Sequence, residues 1–306
     1  MYTSNNIENF STCEYNEFTN IINSKNITSV FQPIVSLKDG SIIGYEALSR
    51  GPKDSLMKSP ETLLNIAKRY NKLWEIEEVF RSSALESISR QNIKCKIFLN
   101  VNPLIIESIR FKNSFTNEYL KRYCLGYENI VFEITEKEKI ENRERFRDAI
   151  NDKKSQNYKL AIDDFGAGYS GFGRVYDIKP DYIKIDMDII RDINKDETKQ
   201  ALVKSMYEYS KLSKCSLIAE GIETKEEMET LIEIGVHYGQ GYFIQKPKEN
   251  IESIDEDIVN LIKDLNKEDS HTYSLFNVCI GEISKKEEAI NFNTLVSEVD
   301  TMLKKN

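Results

Sequence analysis

An α/β fold closing as a TIM-type barrel is what the sequence predicts, and two observations carry that prediction. From about residue 28 to residue 247, short β-rich runs alternate with helical stretches, which implies a mostly parallel sheet. Acids, carboxamides and a lysine recur at the C-terminal ends of separate strands. A barrel gathers those ends around one axis as its active-site face, whereas an open doubly wound sheet would spread them along a line.

The elements follow in order. "SVFQPIVSL" and "SIIGYEALSR" flank Lys38-Asp39-Gly40, a hairpin signal. A helix pair comes next, the first opening at Ser59-Pro60-Glu61 with an N-cap and a proline in the first turn. The strand "KIFLNV", a helical stretch near residues 115–124 and the strand "NIVFEIT" succeed it. A charged helix is expected over roughly residues 137–155, then the strand "YKLAI", a glycine-rich loop and the strand "DYIKI". A helix over about 197–213 leads into "SLIAE"; the next carries a capping box, Thr224 with Glu227, and stops at Gly235. "GYFIQ" is the last expected strand. Beyond it, "IDEDIVNLIKDLNK" spaces Ile254, Ile258, Leu261, Ile262 and Leu265 as an amphipathic helix does. "IGEISKKEEAINFNTLVSEVDTML" then reads as a short strand, a turn and another helix. The expected organisation is a lead-in (residues 1–27), a barrel (28–250) and a C-terminal, mainly helical extension (251–306).

Composition narrows the chemistry. The net charge of −8 disfavours a nucleic-acid polymer as partner, since such binders carry a basic face. No apolar run reaches the roughly 20 residues that span a bilayer, and "MYTSNNIENF" lacks a signal-peptide pattern, so a cytoplasmic protein is expected. The scattered Cys13, Cys95, Cys124, Cys215 and Cys279 form no CxxC pair and read as reduced thiols. Histidine is scarce: His237 and His271 leave little room for a Ser-His-Asp triad, a Cys-His pair or a zinc HExxH site. His237 reads as a packing or loop residue. A metal held here takes oxygen ligands, which favours Mg²⁺, Mn²⁺ or Ca²⁺.

The polar strand-end residues are Glu46, Asn100, Glu133, Asp163, Asp164, Lys184, Glu220 and Gln240. Asp163 and Asp164 are adjacent carboxylates at the mouth of "AIDDFGAGYSGFGRV". They need a cation, a shared proton or open solvent, and alone they also fit a solvated turn. Five acids with Asn100 and Gln240 around one axis make a divalent-metal cage, with room in the ligand count for two ions. Lys184 alternates with Ile183 and Ile185, which favours an inward side chain over a surface lysine.

"YEALSR", "FLNVNP", "FEITE", "AIDDFGAGYSG", "DYIKID", "IAEGIET" and "GQGYF" occur in the order typical of the EAL-domain phosphodiesterases of cyclic di-GMP, and the chain resembles that family over about residues 28–247. The resemblance implies a (β/α)8 barrel with an antiparallel first strand, in keeping with the hairpin. It also implies hydrolysis of cyclic di-GMP to linear 5'-pGpG with Mg²⁺ or Mn²⁺, two ions per site, and a homodimer; inhibition by Ca²⁺ is expected from its longer bonds and higher coordination number. By the same resemblance, Glu46, Asn100, Glu133 and Asp163 hold one metal, and Asp163 bridges to a second held with Asp164. Glu220 and Gln240 bind that second metal or its waters. Lys184 orients the attacking water; with Glu46 and Glu220 it forms the implied catalytic set. Gln32 and Arg50 touch the dinucleotide, Arg50 at a phosphate. Glu136 anchors the glycine loop, though it also fits a helix-start acid.

The sequence departs from the family at Gly171, where many members have Ser, and at Met187, where many have Arg; both bear on substrate fit. A catalytically silent receptor of the same fold is the rival reading, and a barrel glycosidase with a carboxylate pair a more distant one. The extension weakly resembles the start of a CBS-type regulatory domain; a helical tail packing on the barrel or a dimer partner fits as well.

Overall fold

Eight strands, β1 to β8, close into a barrel in chain order. The computed structural model describes residues 4–136, 140, 142–166 and 171–267. The chain divides into two compact units, Met1–Lys263 and Asp264–Asn306, and the barrel lies in the first. The strand, turn and helix expected within residues 280–303 lie outside the described residues.

Helix α1 (Ser4–Ser24) precedes β1 (Thr28–Ser36) and β2 (Ile42–Arg50). The turn between the strands is fixed by Asp39, whose Oδ1 accepts from the Ser41 backbone and hydroxyl at 3.0 and 2.7 Å. So short a turn reverses the chain, and β1 pairs antiparallel with β2 and, at closure, with β8. All remaining strand pairs are parallel.

Helices α2 (Pro60–Arg69) and α3 (Leu73–Arg90) lead to β3 (Lys96–Val101). Short helices α4 (Pro103–Ile106), α5 (Ile109–Lys112) and α6 (Asn117–Lys121) stand between β3 and β4 (Ile130–Thr135). Helix α7 (Arg143–Ser155) precedes β5 (Lys159–Phe165). It begins later than the expected residue 137, because Asn142 caps it by accepting from the Arg145 N–H at 3.0 Å. Then follow α8 (Gly171–Ile178), β6 (Tyr182–Ile185), α9 (Met187–Ile190), α10 (Glu197–Ser213), β7 (Ser216–Ala219), α11 (Lys225–Ile234) and β8 (Tyr238–Gly239). The Thr224–Glu227 capping box and the Gly235 stop are both present.

The last strand corrects the sequence reading. "GYFIQ", residues 241–245, forms turns, and β8 is Tyr238–Gly239. The cause is a close approach: a Cβ on Gly241 would sit 2.1 Å from the Ile222 carbonyl oxygen. The chain packs backbone to backbone there, with the Phe243 N–H donating to that carbonyl at 3.0 Å. The amphipathic stretch after the barrel is helical from residue 256 onward, and Ile262 within it is fully buried.

Candidate active site

Strand register stacks two layers inside the barrel. The lower layer is apolar, a buried cluster of Ile34, Phe98, Val131, Ala161, Tyr182 and Ile218. Two residues along a strand return to the same face, and each step toward the mouth reaches a polar side chain. Asn100 follows Phe98, Glu133 follows Val131, Asp163 follows Ala161, Lys184 follows Tyr182 and Glu220 follows Ile218. On β1, which runs the opposite way, Gln32 precedes Ile34; Glu46 follows Gly44 and Gln240 follows Tyr238 by the same step. Every strand thus supplies, from within it or just past its end, one member of a single polar layer on an apolar floor.

Lys184 is at the centre of that layer. Its Nζ lies 2.7 Å from Asp163 Oδ1, 2.7 Å from Glu220 Oε1, 2.8 Å from Glu133 Oε1 and 3.4 Å from Glu46 Oε2. Asn100 donates to Glu46 Oε1 at 3.3 Å. Gln240 Nε2 donates to Glu46 Oε2 at 2.6 Å and to Gln32 Oε1 at 3.0 Å. Gln32 in turn donates to the Gln245 carbonyl at 3.1 Å. Seven of the eight polar strand-end residues singled out from the sequence, all but Asp164, therefore form one connected set together with Gln32.

Asp163 and Asp164 are presented by a bulge. The β5–β6 register shifts between Ile162 and Phe165, and Asp164 sits at φ 54°, in the left-handed region. A regular strand would send neighbouring side chains to opposite faces; the bulge removes that constraint. Glu136 holds the same segment from the side. Its backbone N–H donates to the Asp163 carbonyl at 3.2 Å, and its Oε2 accepts from the Gly166 N–H at 3.2 Å.

Arg50 stands apart from the cluster. It is four residues beyond Glu46 on the same face of β2, about 13 Å along the strand. Its guanidinium donates to the Ser49 carbonyl at 2.8 Å and lines a cavity of about 320 Å³ with Lys53, Lys58 and Glu249. His237 behaves as a packing residue: Nδ1 accepts from the Leu217 N–H at 3.2 Å, and burial lowers its pKa. Sequence reading missed Gln245 and Arg174. Gln245 enters through its backbone, which leaves no residue-type signal. Arg174 had one: a cation inside a helix that is otherwise apolar on its packed side.

The electrostatics call for positive charge. Burial pushes the Glu133 and Glu220 carboxyls well above the usual range, and neighbouring carboxylates add to that, against the pull of Lys184. Burial also opposes the charged form of Lys184, but Asp163, Glu133, Glu220 and Glu46 together outweigh it and hold the ammonium well above the ordinary lysine value. Fully ionised, the four carboxylates around one ammonium would leave three negative charges in excess. Glu133 Oε2 and Gln240 Oε1 are buried acceptors without a hydrogen-bond donor. Among the described residues no three His, Cys, Asp or Glu side chains are grouped at metal-holding geometry, because the carboxylates turn toward Lys184. An all-oxygen donor set with excess charge and orphaned acceptors nonetheless fits hard divalent cations.

The EAL domain family model matches residues 16–247. The chain is 27% identical over 243 residues to the probable cyclic di-GMP phosphodiesterase PdeG of Escherichia coli K12, covering 74% of this chain and 45% of that protein. It thus spans less than half the length of that relative. A standalone EAL protein of Vibrio cholerae O395, solved in its c-di-GMP bound form, is 29% identical with a TM-score of 0.64, covering 75% of this chain and 96% of that one. Klebsiella pneumoniae BlrP1, solved as a manganese/cy-diGMP complex at pH 6, is 28% identical with a TM-score of 0.68, covering 75% and 58% respectively. With a model match over residues 16–247 and this barrel, the chain belongs to the EAL domain family.

Proposed function

We propose that this chain hydrolyses cyclic di-GMP to linear 5'-pGpG with the help of two divalent cations, Mg²⁺ or Mn²⁺. The observation that carries the reading is the polar layer: acceptors from separate strands converge on Lys184 with an excess of negative charge. Relatives named as cyclic di-GMP phosphodiesterases and neighbours solved with that dinucleotide and manganese or calcium support it.

Glu46, Asn100, Glu133 and Asp163 would hold one cation, and Asp164, Glu220 and Gln240 the other, with Asp163 shared. Such cations supply Lewis acidity and positive charge to a phosphodiester. The chain's own residues do the rest. Lys184 keeps its proton, so it serves as a fixed cation and hydrogen-bond donor toward the attacking water or phosphate oxygen, and proton removal falls to a carboxylate, Glu46 or Glu220. Gln32, clamped between Gln240 and the Gln245 carbonyl, presents a fixed carboxamide to the dinucleotide. Arg50, farther up the same face, meets a phosphate.

The test is an assay of cyclic di-GMP hydrolysis in metal-stripped protein, with Mg²⁺ or Mn²⁺ added back. Metal-dependent formation of pGpG is expected. Tight binding without turnover would make the chain a receptor, and hydrolysis unaffected by chelation would overturn the metal assignment. Ca²⁺ should inhibit, because its longer bonds and higher coordination number suit the acceptors but misplace the attacking water. Full activity with Ca²⁺ alone would count against a tight two-ion geometry. The homodimer belongs to the same reading and is checked by light scattering.

A further inference from the structure

The glycine loop that carries Asp163 and Asp164 leaves the barrel at Gly166 and re-enters regular structure in α8. The described residues on either side of it, Gly166 and those of α8, each meet the tip of β4. Glu136 secures the leaving end through the Gly166 N–H. The returning end carries an unusual residue. Arg174, on α8, is only 4% exposed. Its guanidinium lies 5.8 Å from the centre of the Phe146 ring on α7 and makes a long hydrogen bond, 3.5 Å, to the Thr135 carbonyl. Thr135 directly precedes Glu136 and is paired in register with Asp163. Burial lowers the Arg174 pKa, and the nearby Glu136 and Asp177 carboxylates oppose that. Farther along α8, Asp177 is clasped by Arg143 at 2.6 Å and by Arg147, an ordinary half-exposed helix tie. Arg174 differs from it in pointing inward, to the strand end that abuts Asp163.

We propose that Arg174 is a positioning residue: it ties α8 to the tip of β4 at Thr135, as Glu136 ties Gly166 to the same tip, and together they hold the Asp163 and Asp164 carboxylates in place for a divalent cation. A buried guanidinium costs solvation, and that cost is met here by a carboxylate, a carbonyl and an aromatic face in one location. This rests on the metal reading above and adds a residue to it.

Mn²⁺ binding without substrate, followed by loss of the free-ion EPR signal, reads the effect directly. Arg174→Met and Glu136→Gln are each expected to weaken Mn²⁺ binding about tenfold, the scale seen when residues behind metal ligands are removed. The double variant should be no weaker than the worse single, since one brace is broken in each case. Arg174→Lys, which keeps the charge, should fall between wild type and Arg174→Met, and Arg143→Met should bind like wild type. Should Arg174→Met be insoluble, Arg174→Gln takes its place with the same expectation. Wild-type Mn²⁺ affinity in a variant whose Tm has dropped would reduce Arg174 to a helix-packing residue and overturn the proposal. Fully additive losses, or a lysine variant no better than methionine, would overturn the joint action with Glu136. Because no substrate is present, failure to hydrolyse cyclic di-GMP leaves this result readable. A wild-type chain that binds no Mn²⁺ would overturn both readings together.

Discussion

Lys184 on β6 and Lys153 on α7 are both fully buried, and the protein treats them in opposite ways. Lys184 is ringed by four carboxylates, which raise its proton affinity despite burial. Lys153 instead sits 5.3 Å from the Phe111 ring centre and 5.5 Å from that of Tyr158, donating to the Ser114 carbonyl at 2.8 Å. Burial dominates there and lowers its pKa to about 8, with Asp152 opposing weakly. The difference separates charge used for chemistry from charge tolerated for packing. At Lys184 the anions outnumber the cation, so the site draws further positive charge. At Lys153 the ammonium serves only as a tether for the chain around Ser114, which Tyr158 also grips through the Phe115 carbonyl.

Breaking the anionic ring should have the largest effect. Glu46 receives hydrogen bonds from Asn100 and Gln240 and faces Lys184, so it belongs to the polar layer and not to the buried apolar cluster beneath it. Glu46→Ala should therefore keep the barrel, with an unchanged far-ultraviolet circular dichroism spectrum, while turnover falls below assay background. Appreciable Mg²⁺-dependent hydrolysis by the folded variant would remove Glu46 from the ligand set.

Removing the cation is next in size. Lys184→Met leaves four carboxylates, two of them buried, facing one another, so folded protein without metal should lose about 3 kcal/mol in urea unfolding. Saturating Mg²⁺ should restore part of that, because a cation that binds the folded state stabilises it. With metal present, kcat should fall by roughly 10²–10³ with KM little changed, as expected for a group that acts mainly in the transition state. A raised KM with kcat intact would make Lys184 a substrate-binding residue only.

The contrast also marks where sequence reading succeeds. Polar residues at strand ends were legible because a strand has a fixed period of two, so an inward face can be followed from "IFLN" to Asn100 or from "IVFE" to Glu133. Asp163 and Asp164 broke that rule. Neighbours in a strand should diverge, and the left-handed backbone of Asp164 with the register shift releases that constraint. "GYFIQ" looked like a strand because its residues suit one; the contact between Gly241 and Ile222 that turns it aside joins segments distant in sequence. Lys153 has a signal in the sequence. Phe146, Ala149, Ile150 and Lys153 follow the helical rhythm and are the buried face of α7, whereas Lys154 next to it falls outside that face.

Sharpening the comparison at Lys153 has the smallest expected effect and the clearest sign. The gap between an ordinary 10.5 and about 8 corresponds to roughly 3 kcal/mol of burial cost at neutral pH. Lys153→Met removes that cost but also removes one hydrogen bond and two cation–π contacts, each worth roughly 1 kcal/mol or less. The variant should therefore equal or exceed wild type by up to about 1 kcal/mol at pH 7. The pH dependence follows from linkage. Between about 8 and 10.5 the unfolded chain keeps a proton on Lys153 that the folded protein releases, so this group raises wild-type stability as pH climbs through that window. The advantage of Lys153→Met should accordingly shrink, and reverse in sign, between pH 7 and pH 9.5 in paired urea titrations. A constant difference at the two pH values would mean that Lys153 stays charged in both states and that its aromatic surroundings hold the ammonium as firmly as carboxylates would.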